Sequence, residues 1–450
     1  MTRILVVTTE PLPIAGQPTT GAGLRAYGLA EGLRARGLDV VLATVAPIGD
    51  HPPTTIPPHV RIVRRGELAQ ALNEIQPSSV VLQHWGLARE LPELTVPLAI
   101  DLAGPHLLER LYWGSADTRR DVSEKLAALR RADFLVCSGE FQRHYFYPFL
   151  AMAGYDLRTF DFPVIPFSVP TASVIPANAS PREPGSFVFG GTFLAWQDPA
   201  KPIGWLLDEM DLAQSGKLYF YGGSHPVADA SGGKFSALAE KLRSHPRVEM
   251  KGFVGFDQLL SEYQNYEVAL DLMERNPERE LAYTTRTMIY LRCGLPVIYN
   301  DYSEISAIVS NRKCGWALSP DDEQGFRAAV RDILTGRAPL SAMRTAALAV
   351  ADEHSWHKTI EPLASFCAEP RMREAKTATL LAVESQLHEA DALGAELEAT
   401  RAHLATLRGK FLVRLQDRLP AFGVLLAPLA WLAAWPAAAF LWLRFRGTTK

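Results

Sequence analysis

Hydrophobic and polar positions follow two alternating rhythms along most of this chain. Ile4–Thr9, Val40–Thr44, Val60–Val63, Val80–Gln83, Leu98–Leu102 and Phe134–Cys137 are short apolar runs, many of them β-branched. Such runs read as strands of a parallel sheet covered on both faces. Between them the apolar positions fall three and four residues apart. Leu24, Tyr27, Leu29 and Leu33 predict a helix, with Gly37 placed to end it. After a proline-rich stretch at 171–186 the pattern restarts. Phe187–Phe189, Leu218–Tyr221, Val248–Met250, Val268–Leu272, Pro296–Tyr299 and Cys314–Ala317 read as strands, and Lys234–Arg243 and Phe256–Tyr263 as helices between them. The expected fold is α/β: two Rossmann-like, doubly wound domains, 1–170 and 187–367, facing a cleft across the linker. A ligand belongs at the carboxyl ends of both sheets.

The rhythm changes after residue 370. Residues 371–410 are rich in Ala, Glu and Leu and predict a long helix. Leu380, Val383, Leu387, Ala390, Leu397 and Leu404 nearly form a heptad seam, interrupted at Gly394 and Arg401, so a coiled coil joining two copies of the chain is expected. Leu419–Leu443 then carries no charge at all.

Charge and cysteine usage narrow the classes of function. The chain has 46 Lys+Arg against 49 Asp+Glu, a formal charge of −3, which argues against nucleic acid as a partner. Four cysteines (Cys137, Cys293, Cys314 and Cys367) stand apart without a Cys-x-x-Cys, so neither a disulfide framework nor a zinc site is expected. The opening MTRILVVTTE meets a glutamate too early for a signal peptide, which points to the cytosol.

Candidate chemistry concentrates in glycine-rich turns. Gly16, Gly21 and Gly23 separate the first strand from the first helix. Backbone can approach a ligand closely there, and the helix N-terminus favours a phosphate or carboxylate. Arg25, in the first helical turn, opposes the dipole but can reach an anion. Gly190, Gly191 and Thr192 follow a strand of the second half, with Trp196 close behind, and Gly222, Gly223 and Ser224 repeat the device. The most pointed segment is LAYTTRTMIYLRCGLPVIYND, 281–301. Thr284, Thr285, Arg286 and Thr287 open a helix there, and hydroxyls plus an arginine at a helix N-terminus suit a diphosphate. In the first half, Asp101 ends a strand, where a carboxylate can orient or deprotonate a hydroxyl. His84, His106 and Glu109 are further candidates, and Glu304 is an acid just beyond the 281–301 segment.

TGAGLRAYGLAEGLRARGLDVVLAT, HPRVEMKGFVGFDQLLSEYQNYEVALDL and TRTMIYLRCGLPVIYND occur in that order. On these segments the chain, over about residues 3–367, resembles the GT-B glycosyltransferases, specifically the large retaining group 1 family. The resemblance implies a hexosyltransferase that takes a nucleotide-diphosphate sugar as donor substrate, with no cofactor and no metal; no Asp-x-Asp occurs. It puts Arg286 where the family binds the diphosphate, with Gly190, Gly191 and Thr192 approaching from another strand end. Gly21 and Gly23 would line the cleft from the other domain, and His106 would contact the transferred sugar. One departure is plain: the family's two glutamates, eight positions apart, read Leu281 and Ile289 here. Glu304 is the acid available to replace their contact with the ribose. An inactive membrane scaffold of this fold, and a nucleotide-sugar epimerase, are the alternatives.

The tail sets the expected place of work. Twenty-five apolar residues reach across a bilayer core of ~30 Å as a helix. Pro420, Pro428 and Pro436 disturb such a helix, and basic residues flank it on both sides. A peripheral or re-entrant contact through 411–446, on the cytoplasmic face of the inner membrane, fits both facts. The expected acceptor is therefore a lipid-linked or cell-surface polysaccharide.

Overall fold

A computed structural model describes residues 3–14, 17–45, 55–64, 66–112, 117–170, 182–223, 234–373 and 396–407. The Gly16 candidate, most of the linker, residues 374–395 of the expected long helix and the whole apolar tail lie outside the described residues. Residues 396–407 are helical and exposed throughout. The chain divides into two units, 1–374 and 375–450.

The first unit holds two six-stranded sheets, both parallel throughout. In one, β1 (Arg3–Thr8), β2 (Asp39–Thr44), β3 (Val60–Ile62), β4 (Ser79–Gln83), β5 (Leu98–Leu102) and β6 (Phe134–Cys137) take the order β3-β2-β1-β4-β5-β6. In the other, β7 (Ser186–Thr192), β8 (Lys217–Gly223), β9 (Val248–Gly252), β10 (Val268–Asp271), β11 (Val297–Asn300) and β12 (Gly315–Leu318) repeat that order, read as β9-β8-β7-β10-β11-β12. The order reverses between β1 and β4 in one sheet and between β7 and β10 in the other. These reversals open a crevice at the carboxyl ends of the strands.

Each sheet is covered on both faces, as continuous apolar runs require. Leu5 and Val7 of β1 join the core under the helices 118–131 and 140–152, whereas Ile4 and Val6 face the helix Gly21–Ala35. In β7, Val188 faces one core while Phe187 and Phe189 face the other. The boundary expected at residue 367 runs differently in space. After a bridge between Val169 and Ser355, the helices Trp356–Thr359 and Glu361–Ala368 return to the first sheet. Ile360, Leu363, Ala364 and Cys367 complete its core beside Leu29 and Leu33. Gly28 and Gly32 make room for them, since a Cβ on Gly28 would overlap the Trp356 indole.

Candidate functional site

A cavity of about 880 Å³ occupies the crevice between the two sheets. Loops at strand ends supply most of its walls: Thr9 and Glu10 after β1, His84 after β4, Ala103 to His106 after β5, Gly190 to Thr192 in β7, Gly222 in β8 and Phe253 after β9.

The helix Thr285–Arg292 brings Arg286 to this cavity. Arg286 lies across Gly191. Its Nη1 donates to Asp271 Oδ1 at 2.9 Å and its Nη2 to Gln197 Oε1 at 2.8 Å, while its Nε is buried without a partner. Thr287 Oγ1 donates to the other Asp271 oxygen at 2.6 Å, so the buried carboxylate fixes both the guanidinium and the first turn of the helix. A Cβ on Gly191 would overlap the guanidinium, and its φ of +147° is one that glycine adopts without strain. Gly222 packs against Gly191 in the same close manner. One turn beyond Arg286, Tyr290 Oη accepts the Gly190 N–H at 2.7 Å. A single helix face thus holds the loop and the cation that covers it.

Thr284, the residue capping this helix, makes no side-chain hydrogen bond to the helix backbone; its hydroxyl pairs with Tyr299 Oη at 2.7 Å. The first N–H groups of a helix have no intrahelical acceptor and attract an anion. Thr285 and Arg286, which carry two of them, line the cavity. Facing them is the N-terminus of Gly21–Ala35, where Gly21 comes up to the Thr285 hydroxyl. Two helix N-termini, one from each domain, therefore meet at one wall.

Other expected residues take different places. Arg25 reaches the cavity edge, but its Nε and Nη2 bond both carboxylate oxygens of Asp101, at 3.0 and 2.9 Å, and its Nη1 bonds Pro166 O at 2.8 Å. Asp101 is wholly buried in this pair and does not line the cavity, which leaves it no path to a hydroxyl there. Gly23 is a packing glycine: Pro11 O fills the space of its missing Cβ. His106 does line the cavity, with Nδ1 3.3 Å from Glu109 Oε2. Glu304 lies away from the cavity, its carboxylate on the Phe141 N–H across the domain boundary. Trp196 is buried in the wall.

Several lining groups carry no motif. Glu278 and Arg279 form a buried bidentate pair at 2.6 and 2.8 Å. Asn276, which caps their short helix, and Pro277, which opens it, are the signals in the sequence. Glu10 accepts from Thr20 Oγ1 at 2.8 Å beneath the Gly21 helix. Ile289 and Leu281 are as apolar in place as in sequence: Ile289 lines the cavity, and Leu281 offers only its carbonyl, which accepts from Gln142. Among the described residues, no group of three or more His, Cys, Asp or Glu is placed to hold a metal ion, and no helix is long and apolar enough to cross a membrane.

Residues 185–336 match the family described as Glycosyl transferases group 1. The matched stretch contains Gly191, Asp271 and Arg286 but none of the first domain. Among solved structures, sucrose-phosphate synthase from Thermosynechococcus elongatus is similar at 16% identity and TM-score 0.61, covering 82% of this chain and 99% of that one. The pneumococcal O-GlcNAc transferase GtfA, solved with UDP and GlcNAc, is similar at 12% identity and TM-score 0.61, covering 82% and 99%. WaaG, a glycosyltransferase involved in lipopolysaccharide biosynthesis, is similar at 15% identity and TM-score 0.56, covering 81% and 100%. No curated protein matches the chain in sequence. The fold is therefore GT-B, with both Rossmann-like domains present.

Proposed function

We propose that the protein is a glycosyltransferase that moves a hexose from a nucleotide-diphosphate donor to a glycan acceptor. The observation that carries this reading is Arg286, held over Gly191 at the β7–β10 reversal beside two helix N-termini. That wall aims N–H donors, those of the two helix N-termini and of a guanidinium whose charge Asp271 balances, at the place where a diphosphate leaving group gathers charge, and a preorganised donor set of this kind lowers the barrier to its departure. The first domain supplies the opposite wall, which Glu10, His106 and Glu109 line. The similarity to group 1 glycosyltransferases over 185–336 supports the donor side. A cation fixed by Asp271 serves the leaving group without a metal, so transfer is expected to persist in EDTA.

The acceptor in this reading is lipid-linked or part of a cell-surface polysaccharide, reached at the cytoplasmic face of the membrane. The uncharged run Leu419–Leu443, flanked by basic residues, supports it. Release of nucleoside diphosphate from a panel of UDP-, GDP- and dTDP-sugars, and of CMP from CMP-sugars, with and without membranes, tests the reading. Arg286→Ala is expected to weaken nucleoside-diphosphate binding on the order of 10- to 100-fold. Binding that survives this change intact favours the inactive scaffold, for which apolar Leu281 and Ile289 are the supporting observation.

A further inference from the structure

His84 combines three features that packing alone does not require. It follows β4 at the point where the first sheet reverses order, and it lines the cavity. Its backbone sits at φ 96°, ψ 132°, where a side chain is strained and glycine is not. Its Nδ1 accepts the Gly86 N–H at 3.0 Å, so the neutral ring carries its proton on Nε2. That Nε2 exposes no surface, either to the cavity or to bulk solvent, and has no hydrogen-bond partner. Burial, with the His106 and Lys125 charges adding to it, pushes the ring's pKa well below the ordinary 6.5, so Nε2 is a neutral donor under ordinary conditions. The ring is clamped by Trp85 and His106, with centroids 5.1 and 4.5 Å away.

A buried donor left unpaired destabilises the fold, and the strained backbone adds to that cost. Both are tolerated at sites where a ligand completes the arrangement. We propose that His84 is a substrate-binding residue whose Nε2–H, after a small turn of the ring toward the cavity, donates a hydrogen bond to a sugar hydroxyl oxygen held there. The proposal rests on the glycosyltransferase reading above and adds a residue to it. A neutral donor fits a hydroxyl better than it fits the diphosphate, whose charge is met on the opposite wall by Arg286. No bond to carbon forms or breaks at the ring, and its proton stays on Nε2.

The test uses full-length His84→Gly, His84→Ala and His84→Phe with whichever nucleotide sugar and acceptor the wild type turns over. All three are expected to bind free nucleoside diphosphate as the wild type does and to lose transfer on the order of 10- to 100-fold in kcat/KM. Added imidazole restores part of the rate to His84→Gly but none to His84→Phe, whose ring fills the space. His84→Gly melts above His84→Ala, because only glycine relieves the backbone. Donor hydrolysis without acceptor locates the hydroxyl: if hydrolysis falls with transfer it lies on the donor sugar, and if transfer falls alone it lies on the acceptor. Wild-type transfer in His84→Gly overturns the proposal. So does a loss that imidazole leaves untouched in a variant melting no higher than His84→Ala, since the ring is then structural. A wild-type chain that turns over no nucleotide sugar overturns the functional reading itself.

Discussion

The carboxylate of Glu304, in the second domain, accepts the backbone N–H of Phe141, in the first, at 3.1 Å. Phe141 is the second residue of the helix Glu140–Met152, whose capping residue is Gly139 and has no side chain to offer. A carboxylate at a helix N-terminus satisfies an orphan N–H and complements the dipole. Here the cap comes from across the cleft, and Gly139 permits the approach. Gln142, one residue past Phe141, adds a second tie by donating to Leu281 O at 3.1 Å. Glu304→Ala is expected to cost about 0.5–2 kcal/mol of stability. It is also expected to enlarge the radius of gyration in solution scattering, because the cleft opens. Glu304→Gln, which keeps an acceptor oxygen, should retain part of both. An unchanged scattering profile for Glu304→Ala would show that this tie does not hold the cleft closed.

The Arg25–Asp101 pair makes a different prediction, on stability rather than turnover. Both side chains are buried, and removing one partner strands the other's charge at a cost of about 3–5 kcal/mol. Asp101→Ala should therefore unfold at markedly lower urea concentration than wild type. The double change Arg25→Met with Asp101→Leu should recover most of the loss. A stable Asp101→Ala with lowered kcat would instead return Asp101 to a catalytic role.

Lys125 sets a pH dependence. Its side chain is fully buried, with Nζ unpaired and lying 3.7 Å from the ring centroid of Phe149 and 4.5 Å from that of Phe146. Burial pushes its pKa down from 10.5 to about 7. Between those values the unfolded chain binds a proton that the folded chain does not. Stability from this group therefore rises as pH climbs from 7 towards 10.5, and falls as pH drops towards 7. Lys125→Met should flatten that slope and raise the melting temperature at pH 7. A wild-type melting curve with the same slope as Lys125→Met would refute it.

For the tail, a chain ending at Arg408 should float with anionic vesicles far less than the full chain does. Recovery of both in the same vesicle fraction would remove the argument for a membrane-bound acceptor.

Much of the fold was legible because burial on both faces of a parallel sheet leaves unbroken apolar runs. The twelve strands among the described residues fall where those runs do, and the ends differ by three residues at most. The cation at the second sheet was legible for a similar reason, since Arg286 opens a helix after a break in the pattern. What stayed hidden depends on distances that no spacing records. Arg25 and Asp101 stand 76 residues apart and neutralise each other, so each looked available alone. Asp271 ends an apolar strand and gives no sign that it will hold Arg286. Glu304 lies three residues beyond the 281–301 segment, yet it serves the opposite domain. The strain at His84 is a backbone property, invisible in a histidine that simply follows a strand.

The return of residues 356–368 to the first sheet bears on how the chain is made. Ile360, Leu363, Ala364 and Cys367 close a core whose other buried members come from the first 165 residues. As the chain leaves the ribosome, the first sheet must wait, with one apolar face uncovered, while the whole second domain is synthesised and can fold by itself. The N-terminal half is thus the last part to be finished, and chaperone dependence during synthesis should concentrate there.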